Sequence, residues 1–212
     1  MKKNKTLVIL GAGGHGRVVA DCAESLGIYT DIIFLDDCFS ARKKNAHWII
    51  AGPISSWIDY NDNTEFIVAM GNNLLRASLL QQLFSAKRCV ATLIHPTAFV
   101  SEKCNLGLGV VIFANAVINV DAHIEDGCII NTAATIDHDC HIHAYCHISP
   151  GVNIAGGVEV GQYSWLGIGS SVVEYITIAK NTQSGAGAVI TKSTQSNTLY
   201  LGIPATPVRS LI

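Results

Sequence analysis

A six-residue period runs unbroken through the second half of this chain. Counted in sixes from Val100, the positions read Val100, Leu106, Ile112, Ile118, Ile124, Ile130, Ile136, Ile142, Ile148, Ile154, Val160, Leu166, Val172, Ile178, Ser184 and Ile190, and fifteen of the sixteen are aliphatic. Chance gives such a run less than about one time in a thousand when apolar residues make up about half of an ordinary chain. A fixed short period is the mark of a solenoid, in which each unit stacks on the next. A helix is excluded, because a period of six does not keep to one face of a 3.6-residue turn.

A second column supports the first. Four residues after most of the aliphatics comes a smaller side chain, as at Cys104, Ala116, Ala122, Cys128, Ala134, Cys140, Cys146, Ser164, Ser170 and Thr182, with Ile176 as an exception. Residues two apart on a strand share a face, so this column and the next aliphatic both point inward. Three residues after the aliphatic stands Gly (109, 127, 151, 157, 169, 187), Asn (115, 181) or Asp (121, 139) at most repeats. These residue types tolerate positive φ, so a bend belongs at each boundary between hexads. Strand and bend repeated three times per turn make a triangular β prism, with about eighteen residues per coil and roughly five coils.

Removing the prism leaves a front segment long enough for a small domain, which places the division at 1–94 and 95–212. Lys and Arg total 14 against 16 acids, a balance that gives no basic surface for nucleic acid or anionic lipid. No apolar stretch approaches the roughly twenty residues of a membrane span. The start, MKKNKTLVILGAGG, has only four apolar residues before a glycine turn, so no secretory leader is expected. Seven cysteines form an odd set without CxxC spacing, and four of them (Cys104, Cys128, Cys140, Cys146) occupy the small inward slot. They read as compact hydrophobes in a reducing, cytoplasmic setting rather than as disulfides or metal ligands.

In the front segment, Leu7 to Leu10 leads into Gly11-Ala12-Gly13-Gly14-His15-Gly16, followed by a helical stretch from Arg17 to about Leu26 and a strand, Ile32 to Leu35, that ends in Asp36-Asp37. Strand, glycine loop, helix, strand and acid make a Rossmann-like phosphate-binding pattern. The glycines let a backbone approach phosphate, and the helix start offers N–H groups and a positive dipole end. The acids are placed to accept hydrogen bonds from a ribose or base. The segment is short for a dinucleotide, and a single nucleoside diphosphate fits its size better. A glycine turn serving only strand-to-helix packing is the competing reading. A further strand, Phe66 to Met70, runs through Gly71-Asn72-Asn73 into a helix from about Leu74 to Ser85.

Five of eight histidines fall between 123 and 147. His123 and His141 are one coil apart in the same slot and are expected to stack on an outer face. His143 has no evident partner. His138 lies at a bend between Asp137 and Asp139, where a carboxylate beside an imidazole fixes its tautomer and supports the cation formed when it accepts a proton. It is the candidate base. A zinc site through His138 and His143 lacks a third histidine at the required coil, so no metal is expected.

The chain resembles the bacterial acetyltransferases that join a small Rossmann-like nucleotide domain to a left-handed β-helix of hexapeptide repeats. The resemblance runs through GAGGHG, FLDD, MGNNLLR, LIHPTAFVS, IDHDCHIHAYCHISPG, SGAGAVITKS and the terminal LGIPA. Within that group it looks most like the acetyl-CoA-dependent N-acetyltransferases of UDP-linked 4-amino-4,6-dideoxy sugars, whose relatives include sialic acid O-acetyltransferases. The resemblance implies an α/β front domain, a left-handed parallel β-helix, and a homotrimer with active sites between subunits. It implies that His138 is the general base and Asp139 its orienting acid. His147 and Gly156 then lie around the acetyl thioester, with the Gly156 N–H directed to the carbonyl oxygen. Gly167, Ile168 and Ala186 form the pantetheine-side wall, and Gly13, Gly14, His15, Asp36 and Asp37 hold the nucleotide-linked amino sugar. Acetyl-CoA is the implied co-substrate. The alternatives are a sialic acid O-acetyltransferase, a non-catalytic nucleotide-sugar-binding protein and a carbonic anhydrase of the γ type.

Overall fold

A computed structural model describes residues 5–212. The chain divides into two compact units, the first ending at Pro96 and the second spanning Thr97–Ile212.

The first unit is a six-stranded sheet flanked by helices. Its strands are β1 (Thr6–Leu10), β2 (Asp31–Leu35), β3 (Lys44–Asn45), β4 (Trp48–Gly52), β5 (Thr64–Val68) and β6 (Cys89–Val90), in the order β3-β4-β2-β1-β5-β6. All neighbours are parallel except the β3–β4 hairpin. β1 is central, and Leu7, Val8, Ile9 and Leu10 are fully buried, as expected for a parallel strand covered on both faces. The helices are α1 (Gly14–Ser25) and α2 (Asn73–Ser85). α1 begins three residues earlier than the apolar pattern predicts, because Arg17 N–H already bonds Gly13 C=O at 3.1 Å. His15 and Gly16 therefore belong to its first turn. The β3–β4 hairpin is not anticipated by the motifs, although Trp48, Ile50 and Gly52 alternate inward as a half-buried strand requires.

In the second unit, every hexad yields a two-residue strand and a two-residue turn. The strands form three parallel faces. One, called here the cavity face, carries Val111–Ile112, Ile129–Ile130, His147–Ile148, Trp165–Leu166 and Gln183–Ser184. The second face runs from Phe99–Val100 through Thr135–Ile136 to Val189–Ile190, and the third from Asn105–Leu106 through His141–Ile142 to Thr177–Ile178. Pairings such as Val117↔Thr135, Thr135↔Asn153 and His123↔His141 keep a constant step of one coil. Ile118, Ile124, Ile130, Ile136, Ile142 and Ile148 are all fully buried, each contributing about 1.5–3 kcal/mol of apolar burial.

The bend position is more uniform than its residues. From Gly109 to Gly187 all fourteen slots have φ between 53° and 70°, including Ala133, Tyr145, Tyr163 and Tyr175. An L-residue there costs about 1–2 kcal/mol. Coil-to-coil bonds such as Tyr145 N–H to Asp126 C=O (2.9 Å) and Tyr175 N–H to Gly156 C=O (3.0 Å) impose the conformation anyway. Ser184 breaks the aliphatic column where the core turns polar. It is buried, its Oγ accepts from Gly167 N–H at 2.9 Å and donates to Ser170 Oγ at 3.2 Å. An antiparallel pair, Thr198–Gly202 with Ala205–Ser210, closes that end by pairing onto Gln183–Ser184. All seven cysteines are free thiols, with Cys128, Cys140 and Cys146 buried in the prism. Among the described residues no helix is long and apolar enough to cross a membrane.

Candidate active site

His138 stands at the vertex between the second and third faces, after Thr135–Ile136 and before His141–Ile142. Asp139 occupies the positive-φ slot (φ 59°), which turns its carboxylate back onto the preceding ring. Its Oδ2 lies 2.7 Å from His138 Nδ1. That hydrogen bond leads the causes that raise the His138 pKa above its ordinary 6.5, with the Asp137 and Asp139 charges adding to it against a desolvation cost. Asp137 turns elsewhere. It accepts from the His138 backbone N–H and from Asn119 Nδ2, both at 2.8 Å, and so braces the bend rather than the ring.

The far edge of the imidazole leans on the next coil. A Cβ on Gly156 would sit 2.6 Å from both Nε2 and Cε1 of His138, so only glycine leaves room for the ring. The adjoining Gly157 is likewise crossed by the ring of Tyr175, which remains 75% exposed. The vertex therefore presents an outward imidazole, 44% exposed, against a corner of bare backbone.

Four other expected residues lie together on the cavity face. His147, Gly167, Ile168 and Ala186 line a cavity of about 480 Å³, together with Asn131 and Trp165. His147 stacks on Trp165 with ring centroids 5.6 Å apart and planes 3° from parallel, and its Nε2 is 3.2 Å from Asn131 Nδ2. Trp165 is steadied by Nε1 donating to Ser149 Oγ at 2.9 Å. A wall of flat apolar surface with a few polar atoms suits a slender acyl-carrying arm. In a three-sided prism the vertex between the second and third faces is opposite the cavity face. One chain thus holds the base and the cavity on opposite sides of its prism, and Gly156 belongs with the base.

In the first unit the glycine loop contains glycines of two kinds. Gly11 (φ 111°) and Gly16 are demanded by packing, since a Cβ on either would collide with backbone oxygen of Ala69 or Gly11. Around Gly13 and Gly14 nothing lies within 4 Å of a built Cβ, which the packing-only reading leaves unaccounted for. Open backbone at a helix N-terminus is suited to phosphate. Asp36 and Asp37 are partly committed to backbone. Asp36 accepts from Ala12 N–H (2.6 Å) and Cys38 N–H (2.8 Å), and Asp37 from Ile54 N–H (3.0 Å). Asp36 therefore ties the loop to the end of β2. His15 is held neutral at ordinary pH, its pKa lowered to about 4 by burial and by the nearby Arg76 cation. Arg76 is fully buried and donates to Met70 C=O (2.9 Å) and Asn73 Oδ1 (2.8 Å).

Several of these residues escape sequence reasoning. Asn45 is buried and donates to Ala12 and Gly13 C=O, bracing the loop from a stretch, KKNAH, that carries no signal. Trp165 fills an outward slot like any other. His143 is expected to lack a partner, yet Nδ1 meets Glu125 at 3.1 Å and Nε2 meets Glu159 at 2.8 Å. Their spacing from His143, eighteen and sixteen residues, is visible only once the coil length is known. His123 and His141 are neighbours on successive coils as expected, but they meet edge to face, with centroids 4.8 Å apart and planes 85° from parallel.

Residues 6–83 match the family model described as the PglD N-terminal domain. Over 112 residues the chain is 34% identical to UDP-N-acetylbacillosamine N-acetyltransferase of Bacillus subtilis (strain 168), a match covering 52% of each chain, so it spans about half the length of that curated relative. The acetyltransferase domain of PglB from Neisseria gonorrhoeae FA1090, solved with acetyl coenzyme A, superposes with a TM-score of 0.94 at 36% identity, covering 97% of this chain and 100% of that one. A His-to-Asn mutant of perosamine N-acetyltransferase from Caulobacter crescentus, solved with CoA and GDP-perosamine, superposes with a TM-score of 0.91 at 32% identity, covering 97% of each chain.

Proposed function

The chain belongs to the nucleotide-sugar N-acetyltransferases that join a PglD-type N-terminal domain to a left-handed parallel β-helix of hexapeptide repeats, and on that footing we propose that it transfers acetyl from acetyl-CoA to the amine of a UDP-linked 4-amino-4,6-dideoxy sugar. The Bacillus subtilis and Caulobacter crescentus relatives are N-acetyltransferases, which favours nitrogen over the hydroxyl of a sialic acid as acceptor. The open backbone at Gly13 and Gly14, beside His15 and the Asp36–Asp37 pair, supports binding of the nucleotide-linked sugar by the first unit.

The thioester is already activated, so transfer is direct. The sugar amine attacks the acetyl carbonyl carbon, forming the C–N bond, and His138 Nε2 takes the proton the nitrogen sheds. Asp139 keeps the tautomer with hydrogen on Nδ1, which leaves Nε2 as the acceptor. The Gly156 N–H is offered to the oxyanion. Collapse breaks the C–S bond, and the imidazolium returns its proton to the departing sulfur. General-base help of this kind is typically worth about 10²–10⁴-fold.

One observation carries this reading: the oriented imidazole and the His147–Trp165 cavity lie on opposite sides of one prism. Each site then takes its base from one subunit and its acetyl-CoA wall from a neighbour, in a cyclic homotrimer. Complementation tests it. His138→Ala and the cavity-filling Ala186→Trp should each be inactive on acetyl-CoA and a UDP-4-amino sugar, followed by thiol release. The random pool of trimers formed by equal co-expression should recover about a quarter of wild-type activity, because one pairing in four brings an intact base to an intact wall. Mixed trimers that stay inactive would reject the composite site.

A further inference from the structure

The third face carries a second group of chemistry-bearing side chains that acetyl transfer does not use. Parallel register sets His123 beside His141 and His141 beside Glu159. Two residues along the same coils stand Glu125 and His143. Two imidazole nitrogens converge on one oxygen: Glu125 Oε1 is 2.8 Å from His141 Nε2 and 3.1 Å from His143 Nδ1. The rings of His141 and His143 stack with centroids 4.0 Å apart. One candidate ligand atom from each of His123, Glu125 and His141 lies within 4.8 Å of the others. Glu125 is itself anchored, its Oε2 accepting from Ala144 N–H at 2.9 Å.

We propose that His123, Glu125, His141 and His143 form a binding site for a zinc-class divalent transition metal. Imidazole nitrogen with one carboxylate is the donor set such ions take. Ligands at about 2.0–2.1 Å around a tetrahedral ion lie about 3.3–3.5 Å apart. The ligand atoms of His123, Glu125 and His141, all within 4.8 Å of one another, close onto an ion through side-chain rotations, and His143 Nδ1, 3.1 Å from Glu125 Oε1, is placed to join them as the fourth. A second feature points the same way. His143 faces the group through Nδ1 while its Nε2 meets Glu159 Oε1 at 2.8 Å, the carboxylate–histidine–metal relay that fixes the tautomer of metal-binding imidazoles. The ligands come from two successive coils and the supporting carboxylate from a third, so the ion ties the solenoid along its axis. It stands apart from the acetyl cavity and takes no part in the transfer.

Cobalt tests this on the full chain after chelator treatment. Co²⁺ should bind at one equivalent per chain with the visible d–d bands of a tetrahedral nitrogen–oxygen site, and Zn²⁺ should displace it. His141→Gln and Glu125→Gln should each abolish the bands while circular dichroism shows the prism intact. Glu159→Gln keeps all four ligands and should weaken binding about 10- to 100-fold. No bands at several-fold excess of Co²⁺, bands unchanged by His141→Gln, or near-ultraviolet thiolate charge transfer showing that cysteines hold the metal would each overturn the site. None of these readings depends on acetyl transfer, so the proposal fails or stands separately from the activity.

Discussion

Two imidazoles five residues apart, on the same coil, teach what separates a working base from a structural group. His138 has a carboxylate on Nδ1 alone, and its Nε2 looks across the bare corner at Gly156. His143 has carboxylates on both nitrogens and a neighbouring ring stacked on it. Both are histidines beside acids on a solenoid surface. The difference is the residue in the next coil: Gly156 above His138 leaves space for an acceptor, whereas Glu159 closes the second edge of His143.

The largest test of that contrast is to remove each ring. His138→Ala should lower kcat about 10²–10⁴-fold with the oligomer intact by gel filtration. His143→Ala should leave kcat about where it was. Equal losses would erase the distinction. Gly156→Ala is the next test. The φ of Gly156 is ordinary, so alanine fits the backbone, but its Cβ would stand 2.6 Å from two ring atoms of His138. The ring must swing away, and displacement near an ångström costs about 10²-fold. Thermal melting should change little while kcat falls by about that factor. A fully active Gly156→Ala protein would show that the ring works from another position.

A pH profile sharpens the same comparison. His138 acts as base only when neutral, and its hydrogen bond to Asp139 raises its pKa above 6.5. The rate kcat/KM should therefore climb with pH through an inflection above 6.5 and then level. Asp139→Asn removes the main cause, so the inflection should move down, and the plateau should fall because the tautomer is no longer held. An inflection that stays put in Asp139→Asn would assign it to another group.

Much of this architecture is legible in the order of the residues alone. Inward aliphatics at every sixth position, bends three residues later and the glycine loop between strand and helix each follow from local physics. Asp36 shows where that legibility ends. Its place about twenty residues after the loop reads as a ligand for ribose, yet its two oxygens accept backbone N–H groups of Ala12 and Cys38. Spacing identifies the loop and the acid as neighbours without telling which of them the carboxylate serves. Asn45, Arg76 and Trp165 matter through contacts made across the fold, and no period or motif marks them. The tyrosines at bend slots show the reverse: Tyr145, Tyr163 and Tyr175 carry no turn propensity, and stacking overrides them.

The smallest expected effect concerns Cys140, two residues from the base and the nearest rival nucleophile in sequence. Its slot belongs to the inward column, it is 1% exposed, and its Sγ donates to Ala155 C=O at 3.2 Å. Burial pushes its thiol pKa up, which suppresses the thiolate that an acyl-enzyme route requires. Cys140→Ala should keep wild-type kcat and lose about 1 kcal/mol of stability from the small void left in the prism. Mass spectrometry of wild-type protein quenched during turnover should find no acetyl group on the peptide containing Cys140. An acetylated Cys140, together with an inactive alanine variant, would move the nucleophile inside the prism and strip His138 of its role as direct base.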